Sequence, residues 1–330
     1  MIQLNREVLY LSRADVQRVG LLMRECIDIL ERAFTIKGSG SVDLPAKSEI
    51  CSRPGDFLHA MPCYIGGDAD QCGIKWLGGY YGNPGRGLPF ITGLIVLNDA
   101  ATGVPIAIMD CTEITALRTA AATGLALRKL ANRDARTAAI IGCGRQGRSN
   151  LDALLAECPQ VHSVVAWGPN APTVERYCAE TSARHGREIR RVDTVRAAVE
   201  GIDLLVIAGP GVKSDRQRVI EPQWIKPGAT IATVNLDCHL QRGVVAAVVD
   251  KVYTDDVEMF RLMQRDGLFD GIATPPPELG DLLTGKAPGR ERHDEVILSM
   301  PVGIGMDDVV TAHRVLQRAR QMGVGTVLPL

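Results

Sequence analysis

The chain has 330 residues, of which 46% are hydrophobic and 23% are charged, and its formal net charge is −1. This composition is typical of an ordinary globular protein, and the length predicts two domains. The net charge near zero excludes a basic surface of the kind that binds nucleic acid or an anionic membrane. No apolar run is long enough for a membrane span, and the N-terminus lacks the apolar core of a secretory signal.

The nine cysteines are scattered, and no two of them form a Cys-x-x-Cys pair. An odd number without framework spacing indicates free thiols in a reducing compartment, so a cytoplasmic location is predicted. Most of these thiols are expected to be small buried hydrophobes. No cluster of histidine and cysteine has the spacing of a zinc site, and no metal site is predicted.

The N-terminal part of the chain mixes helix and strand signals. Residues 12–38 carry apolar side chains at helical spacing, with Ser12 as N-cap and Gly38 as stop, and predict one helix. The alanine- and leucine-rich run at 113–131 predicts a buried helix. Between them lie four strand candidates, the last two joined by a hairpin turn at residues 98–103: DFLHAMPCYI, CGIKWLGGYY, PFITGLIVLND and GVPIAIMD.

After Asn132 the pattern changes to apolar strands that alternate with helical stretches. The strand candidates are TAAIIGC, SVVAWG, DLLVIAG, TIATVN and KVYTDD. This alternation predicts a parallel sheet covered by helices on both faces. A last helix is predicted at residues 306–323, and its packing onto the N-terminal part would make the first domain discontinuous.

Three glycines form a Gly-x-Gly-x-x-Gly motif between the first of these strands and the helix that follows it. Gly142 would allow the tight turn, Gly144 the close approach of a pyrophosphate to the backbone, and Gly147 the close packing of helix on strand. The N–H groups at the start of the helix would then face the phosphates. The motif in this context predicts a dinucleotide-binding site.

The choice between NAD and NADP depends on the end of the second strand. An acidic residue there would hold the ribose hydroxyls, but the chain has Gly168, Pro169 and Asn170. Because no clamp for a 2′-phosphate is visible, NAD is slightly favoured over NADP. Arg145 in the glycine loop is a candidate for such a clamp.

Several segments together resemble the ornithine cyclodeaminase/mu-crystallin family over nearly the whole chain. They are Met61-Pro62, GIKW around Lys75, GLPFITGLIVL, TALRTAAATGLA around Arg118, IIGCGRQG, and NLDC with Asp237. The resemblance implies an α/β chain with a Rossmann dinucleotide-binding domain at residues 126–305. It also implies a discontinuous α+β domain at residues 1–125 and 306–330, which binds the substrate and forms a homodimer.

The same resemblance implies NAD(P)-linked chemistry at the α-carbon of a small amino or imino acid, and it assigns roles to residues. Lys75 would bind the substrate carboxylate or move a proton at the substrate nitrogen, Arg118 would hold the α-carboxylate, and Asp237 would act as acid and base at the amine. The substrate-binding residues implied are Lys47, His59, Met61, Lys75 and Arg118. The cofactor-binding residues implied are Arg118, Gly142, Gly144, Arg145, Gln146, Gly147, Gly168, Val234 and Asn235.

The residues by themselves leave other roles open. Lys75 stands between apolar neighbours and would otherwise extend its ammonium group to solvent. A buried Arg118 would need an ion pair at the domain junction, and Asp237, after an apolar strand, is also typical of a turn or cap.

Three positions depart from the ornithine-specific members of the family. Lys47 replaces a carboxylate-binding arginine, His59 replaces a glutamate, and His239 with Gln241 replaces part of a Pro-Gly-Lys sequence after the aspartate. Losing the glutamate removes a partner for the second ammonium group of ornithine. His59 itself is expected to be an uncharged hydrogen-bonding residue, because an unperturbed imidazole is mostly neutral at pH 7.

Three functions therefore remain. The departures favour net redox chemistry, by an amino acid dehydrogenase or an imine reductase. The alternative is a cyclodeaminase, a lyase that uses bound NAD catalytically and releases ammonia. A non-catalytic protein that binds NADP or a small ligand is the least favoured, because Lys75, Arg118 and Asp237 are all present.

Overall fold

The computed structural model describes residues 3–209, 215–236, 239–269 and 271–330, and the chain divides into two compact units. Unit 1 consists of Met1–Arg118 and Gly303–Leu330, and unit 2 consists of Thr119–Val302. The sequence predicts these divisions after residue 125 and before residue 306. One helix, at Thr112–Leu130, begins in unit 1 and continues into unit 2.

Each unit is built on one sheet. The strands are β1 Glu7–Leu11, β2 Val42–Asp43, β3 Ser48–Arg53, β4 Asp56–Ile65, β5 Gln71–Gly79, β6 Ile91–Asn98, β7 Pro105–Asp110, β8 Thr137–Ile141, β9 Ser163–Trp167, β10 Ile189–Arg191, β11 Leu204–Ile207, β12 Thr230–Thr233, β13 Lys251–Tyr253, β14 Ile297–Ser299 and β15 Thr326–Pro329. The helices are α1 Arg13–Val19, α2 Met23–Gly38, α3 Thr112–Leu130, α4 Arg145–Glu157, α5 Ala171–His185, α6 Val195–Val199, α7 Val244–Val248, α8 Val257–Arg265, α9 Leu279–Leu283 and α10 Gly305–Met322.

The sheet of unit 1 is a mostly antiparallel meander, and β1 and β15 extend one edge of it. Its order is β15-β1-β7-β6-β5-β4-β2, and β3 pairs with β4 beside β2. Alternation along β4, β5 and β6 sends one set of side chains to the covered face, where helices α10 and α2 pack. That covered set includes Met61, Cys63, Ile65, Lys75, Leu77, Ile95 and Leu97, all of them buried.

The predicted helix at residues 12–38 is wrong as a single element. Ser12 does cap a helix, with a capping box in which its side chain accepts from Asp15 N. Helix α1 ends at Val19 because Gly20 adopts a left-handed conformation, with φ of +62°. A second helix, α2, then starts at Met23 and ends at Gly38.

The sheet of unit 2 is parallel throughout the described residues. Its order is β10-β9-β8-β11-β12-β14-β13. Strands β11 and β12 are fully buried, and β8 is buried from its second residue onward. Side chains of these strands form a core with α4 and α5. Strands β9 and β10 are added on one side of β8, and β11 and the strands after it on the other. Ligands of such folds bind beyond the carboxyl ends of the strands at this switch point. The predicted fold class, Rossmann-type α/β with an α+β unit, is confirmed.

None of the helices in the described part of the chain is long and apolar enough to cross a membrane.

Candidate functional site

Lys75 is completely buried in unit 1, at the centre of β5. It pairs with Met61 of β4 and with Ile95 of β6, and its side chain has 0% exposure. Its neighbour Trp76 points to the other face of the sheet and is 41% exposed. The Lys75 ammonium group therefore does not extend to solvent, which removes the alternative that the sequence left open.

One carboxylate on helix α10 contacts both buried cations of this site. Asp308 Oδ2 lies 2.5 Å from Lys75 Nζ, and Asp308 Oδ1 accepts a 3.0 Å hydrogen bond from Arg118 Nε. Asp307 Oδ2 lies 3.8 Å from Arg118 Nη1. Both aspartates have 0% side-chain exposure, so the four charges form a closed cluster inside unit 1.

The buried environment changes the pKa of Lys75. Burial, followed by the nearby Arg118 charge, lowers the pKa of the Lys75 ammonium group from 10.5 to about 8, and Asp308 opposes the change. Lys75 Nζ makes no hydrogen bond of normal geometry within the described residues. Its ion contact with Asp308 therefore leaves N–H donors for a bound ligand.

His59 lies two residues from Met61 on β4 and on the same face as Lys75. Its Nε2 is 2.6 Å from Glu49 Oε2, and its ring stacks on Phe57 with 4.4 Å between centroids. Burial, aided by the charges of Lys47 and Lys75, lowers the pKa of His59 below 6.5, although Glu49 opposes this. This direction favours the uncharged imidazole that the sequence context predicts.

Lys47, Met61 and Arg118 occupy the surroundings of these groups in unit 1. Lys47 immediately precedes β3, is partly exposed, and acts electrostatically on both His59 and Glu49. Met61 is 4% exposed, and its carbonyl oxygen lies against Gly305 of helix α10. The structure thus brings all five residues expected to bind substrate onto one side of the unit 1 sheet or against it.

Asp307 and Asp308 were missed by the sequence analysis. Two acids in the first turn of a helix usually complement the helix dipole, so they carry no strong signal by themselves. The usable signal was the apolar sequence around Lys75 and Arg118, because cations that become buried require acidic partners.

The glycine loop of unit 2 fits a dinucleotide phosphate group. Gly142 has φ of +99°, and a Cβ atom there would lie 2.5 Å from Gly209 N, while one at Gly147 would collide with Gly142 O. By contrast, a Cβ at Gly144 would meet nothing within 4 Å. Gly144 is also the N-cap of α4 and provides no side chain for the first-turn N–H groups, which leaves that helix end open to an anion.

Two side chains of this segment form hydrogen bonds within the loop and its helix. Gln146 Oε1 accepts from Asn150 Nδ2 at 3.2 Å, so it turns along its own helix, whereas Arg145 is exposed. Arg148, which the sequence analysis did not single out, donates to the carbonyl oxygens of Cys143 and Gly144. These bonds fix the backbone that the motif requires.

The remaining cofactor candidates lie at the ends of strands in unit 2. Gly168 follows β9, and Asn170 caps α5 by accepting from Thr173 N at 2.9 Å. The backbone N–H of Val234 donates to Ile207 O at 2.8 Å, and Asn235 follows it, partly buried. The residues directly after β9 are thus Gly168, Pro169 and Asn170, none of them acidic.

Asp237 lies outside the described residues. The residue before it, Leu236, has φ of +63°, an unfavourable conformation for a branched side chain. Such outliers concentrate at functional sites. His239 packs its ring on Gly209, and burial lowers its imidazole pKa below 6.5.

The chain is similar to proteins of one family along its length. The sequence profile of the ornithine cyclodeaminase/mu-crystallin family matches residues 6–323. The N-((2S)-2-amino-2-carboxyethyl)-L-glutamate dehydrogenase of Staphylococcus aureus is 32% identical over 344 aligned positions, which cover 99% of this chain and all of the relative.

Two solved structures share the whole fold. The Δ1-pyrroline-2-carboxylate reductase of Thermococcus litoralis, in complex with NADH and L-proline, superposes with a TM-score of 0.86 at 31% identity and covers 97% of this chain and 99% of its own. An archaeal alanine dehydrogenase dimer with bound NAD has a TM-score of 0.85 at 26% identity, over 98% and 99% of the two chains.

Proposed function

The chain belongs to the ornithine cyclodeaminase/mu-crystallin family, and from this premise we propose that it is an NAD-dependent oxidoreductase. It acts at the α-carbon of an L-amino acid and interconverts the amine and the imine. The observation that carries this proposal is the buried cluster in which Lys75 and Arg118 share the carboxylate of Asp308.

Lys75 and Arg118 supply positive charge where an amino acid brings its α-carboxylate. Arg118 offers a planar guanidinium, which matches the two oxygens of a carboxylate. Lys75 keeps N–H donors for a ligand. Binding a carboxylate between two cations in a buried site is favourable because the low local dielectric strengthens the attraction.

Lys75 is also suited to hold and release a proton at the substrate nitrogen. A general acid or base works best when its pKa is close to the working pH, and the pKa of Lys75 is lowered to about 8. Asp237 is proposed as the second acid and base at this nitrogen, in agreement with the role that the resemblance implies.

The glycine loop is the proposed binding site for the pyrophosphate of NAD. The three glycines Gly142, Gly144 and Gly147 leave space for the pyrophosphate, and the uncapped N-terminus of α4 supplies backbone N–H donors. Arg118, Arg145, Gln146, Gly168, Val234 and Asn235 complete the proposed set of cofactor contacts. When bound, the nicotinamide supplies the hydride acceptor or donor.

Substrates with a substituted nitrogen are the first class to test. The relatives named above include a dehydrogenase of an N-substituted glutamate and a reductase in complex with L-proline, and the nitrogen of both compounds is a secondary amine. Lys47 and a neutral His59 would face the rest of such a substrate. They provide one cation and one hydrogen-bonding group for the polar groups of that substituent.

The test follows absorbance at 340 nm with purified enzyme and NAD. Substrates are alanine, proline, ornithine and N-carboxyalkyl amino acids, and the reverse reaction uses NADH with imines formed from keto acids and amines. Net change in NADH with an N-substituted amino acid or its imine supports the proposal. Ammonia and proline released from ornithine without net change in NADH would contradict it and identify a cyclodeaminase.

We also propose that the chain forms a homodimer through the outer face of the unit 1 sheet. Trp76 of β5 and Leu94 of β6 are paired neighbours on this face, and they are 41% and 42% exposed. Ile50 and Tyr64 are exposed on the same sheet. Exposed apolar groups of this size on neighbouring strands are typical of a surface that another chain covers.

The proposed location is the cytoplasm. Each cysteine that the structure describes is a free thiol, which is the expected state in a reducing compartment. Fractionation of the cells that make the protein tests this, and its recovery outside the cytoplasm would contradict it.

A further inference from the structure

We propose that Asp308 is the positioning residue of the site: its carboxylate fixes Lys75 and Arg118 relative to each other so that both meet the same substrate carboxylate. The inference rests on the proposed function and deepens it. It assigns a role to a residue that contacts neither substrate nor cofactor in the proposal, and that acts through the two cations.

The two oxygens of Asp308 are divided between the two cations. Oδ2 lies 2.5 Å from Lys75 Nζ, and Oδ1 accepts the 3.0 Å bond from Arg118 Nε. Lys75 is carried by β5, Arg118 by α3 and Asp308 by α10. One carboxylate therefore connects three separate elements of unit 1.

A second, partly buried pair in the molecule provides a comparison with a purely structural arrangement. Arg128 Nε donates to Glu157 Oε2 at 2.7 Å, and Nη2 donates to Oε1 at 2.9 Å. Both oxygens of Glu157 thus serve one guanidinium, in the bidentate geometry that satisfies such a pair. Asp308 instead divides its two oxygens: Oδ1 accepts from Arg118 Nε, and Oδ2 approaches Lys75 Nζ without a hydrogen bond of normal geometry.

This difference has a consequence for ligand binding. A carboxylate that satisfied either cation completely would compete with the substrate for the same donors. Asp308 compensates the charge of both cations, yet it leaves donors on Lys75. It therefore holds the positions of the cations while a substrate carboxylate is able to bind them.

Among the groups that favour the charged form of Lys75, Asp308 contributes most. The charged and titratable groups that act in this cluster are Arg118 on α3, Asp307 and Asp308 on α10, His59 and Cys63 on β4, and Cys111 after β7. Asp308 is the first contributor that favours the charged form of Lys75, whereas burial and Arg118 oppose it. Burial raises the pKa of the Cys63 and Cys111 thiols to about 12 and about 11, so both stay neutral.

Asp308→Asn is the central test, because the amide preserves shape and removes charge. Lys75 is observed by NMR in protein labelled at lysine Cε, and its signal is assigned with Lys75→Arg. The expected result is a Lys75 pKa clearly below the wild-type value of about 8, with a raised KM and a loss of about 100-fold in kcat/KM, the size expected when reacting groups are misplaced by about 1 Å.

Two further variants separate positioning from folding. Glu157→Gln removes a buried carboxylate from a structural pair of unit 2, and it should lower thermal stability without changing the Lys75 titration or KM. Asp308→Glu keeps the charge on a longer stem, and it should preserve the Lys75 pKa while kcat/KM still falls. If Asp308→Asn does not fold, the Glu variant decides the question, because native kcat/KM in that variant would overturn the positioning role.

The same experiments distinguish failure of this inference from failure of the proposed function. An unchanged Lys75 titration in folded Asp308→Asn would overturn the inference even if the enzyme turns over amino acids. An enzyme that oxidises no amino acid would contradict the proposed function, and the NMR titration would still show whether Asp308 controls Lys75.

Discussion

Gly303 lies directly against the guanidinium group of Arg118. A Cβ atom at Gly303 would be 3.2 Å from Arg118 Nη1 and 3.5 Å from Nη2, and the φ of Gly303 is +76°. Two features therefore restrict this position to glycine: its backbone conformation and the Arg118 side chain beside it. This contact yields the first prediction.

Gly303→Ala is expected to raise the KM for the amino acid about 10-fold, because the new methyl group pushes the Arg118 guanidinium away from its position. A tenfold change corresponds to about 1.4 kcal/mol. Gly323→Ala is the matched control, since Gly323 has φ of +63° and nothing within 4 Å of its Cβ position. Both variants should lose stability from strained φ. An equal KM in the two variants would show that contact with Arg118 has no role.

Lys75→Met is expected to lower turnover by about 10²- to 10⁴-fold, the usual contribution of a general acid or base. Methionine fills the buried space without a charge, and steady-state kinetics measure the effect. Lys226→Met is the control, because Lys226 also forms an ion pair, 2.5 Å from Asp203 Oδ1, but belongs to unit 2 and is 37% exposed. Near-normal turnover of Lys75→Met would remove Lys75 from the mechanism.

The pH dependence of the two reaction directions should be opposite. The pKa of Lys75 is lowered to about 8, so Lys75 is mostly protonated below pH 8 and mostly neutral above it. Oxidation of an amine requires a proton acceptor and should accelerate as pH rises through about 8, whereas imine reduction requires the protonated form and should slow over the same range. Profiles of kcat/KM for both directions test this. Parallel profiles would contradict the proton-transfer role.

Gly144→Ala should separate cofactor binding from folding. A Cβ at Gly144 meets nothing within 4 Å, so the free energy of unfolding should change by no more than about 0.5 kcal/mol. The methyl group nevertheless stands where a pyrophosphate approaches the backbone, and the Kd for NADH should rise at least about 10-fold. Gly147→Ala, whose Cβ would collide with Gly142 O, should instead lose about 1–3 kcal/mol of stability from overpacking. Fluorescence titration and thermal unfolding measure both effects.

Trp76→Glu should convert the dimer to a monomer, because it buries a charge in the proposed interface. Light scattering coupled to gel filtration reports the mass. Leu22→Glu is the control, since Leu22 is also exposed, at 69%, but lies in the connection between α1 and α2 rather than on the sheet. Should Trp76→Glu stay dimeric, the outer face of the unit 1 sheet is not the interface.

The sequence predicted those parts of the fold that have a regular hydrophobic period. The meander from β4 to β7 and the helix at α3 were expected from alternating and small apolar residues, and the glycine loop from its motif. Strand β3 was missed because all six of its residues are exposed, so no alternation marks it. The break between α1 and α2 was missed because the apolar period continues across Gly20.

The chemistry of the site was predictable only in part. The burial of Lys75 follows from its place in an apolar strand, and the need of Arg118 for an acidic partner follows from electrostatics. Which of the chain's acids would supply that partner could not be deduced, because Asp308 comes from a helix far along the chain. Local pattern carries no information about which distant elements meet.

Unit 1 is assembled from two segments that are separated in the sequence by the whole of unit 2. It is therefore completed only after unit 2 has been synthesised. Unit 2 is one continuous segment, Thr119–Val302, so all of its residues have been synthesised before those of helix α10. Strand β1 obtains its neighbour β15, and Lys75 and Arg118 obtain Asp308, only after helix α10 and strand β15 have been synthesised. Until then the nascent N-terminal segment carries Lys75 and Arg118 without the carboxylate of Asp308. Truncation of helix α10 should therefore leave a chain that binds chaperones and does not fold.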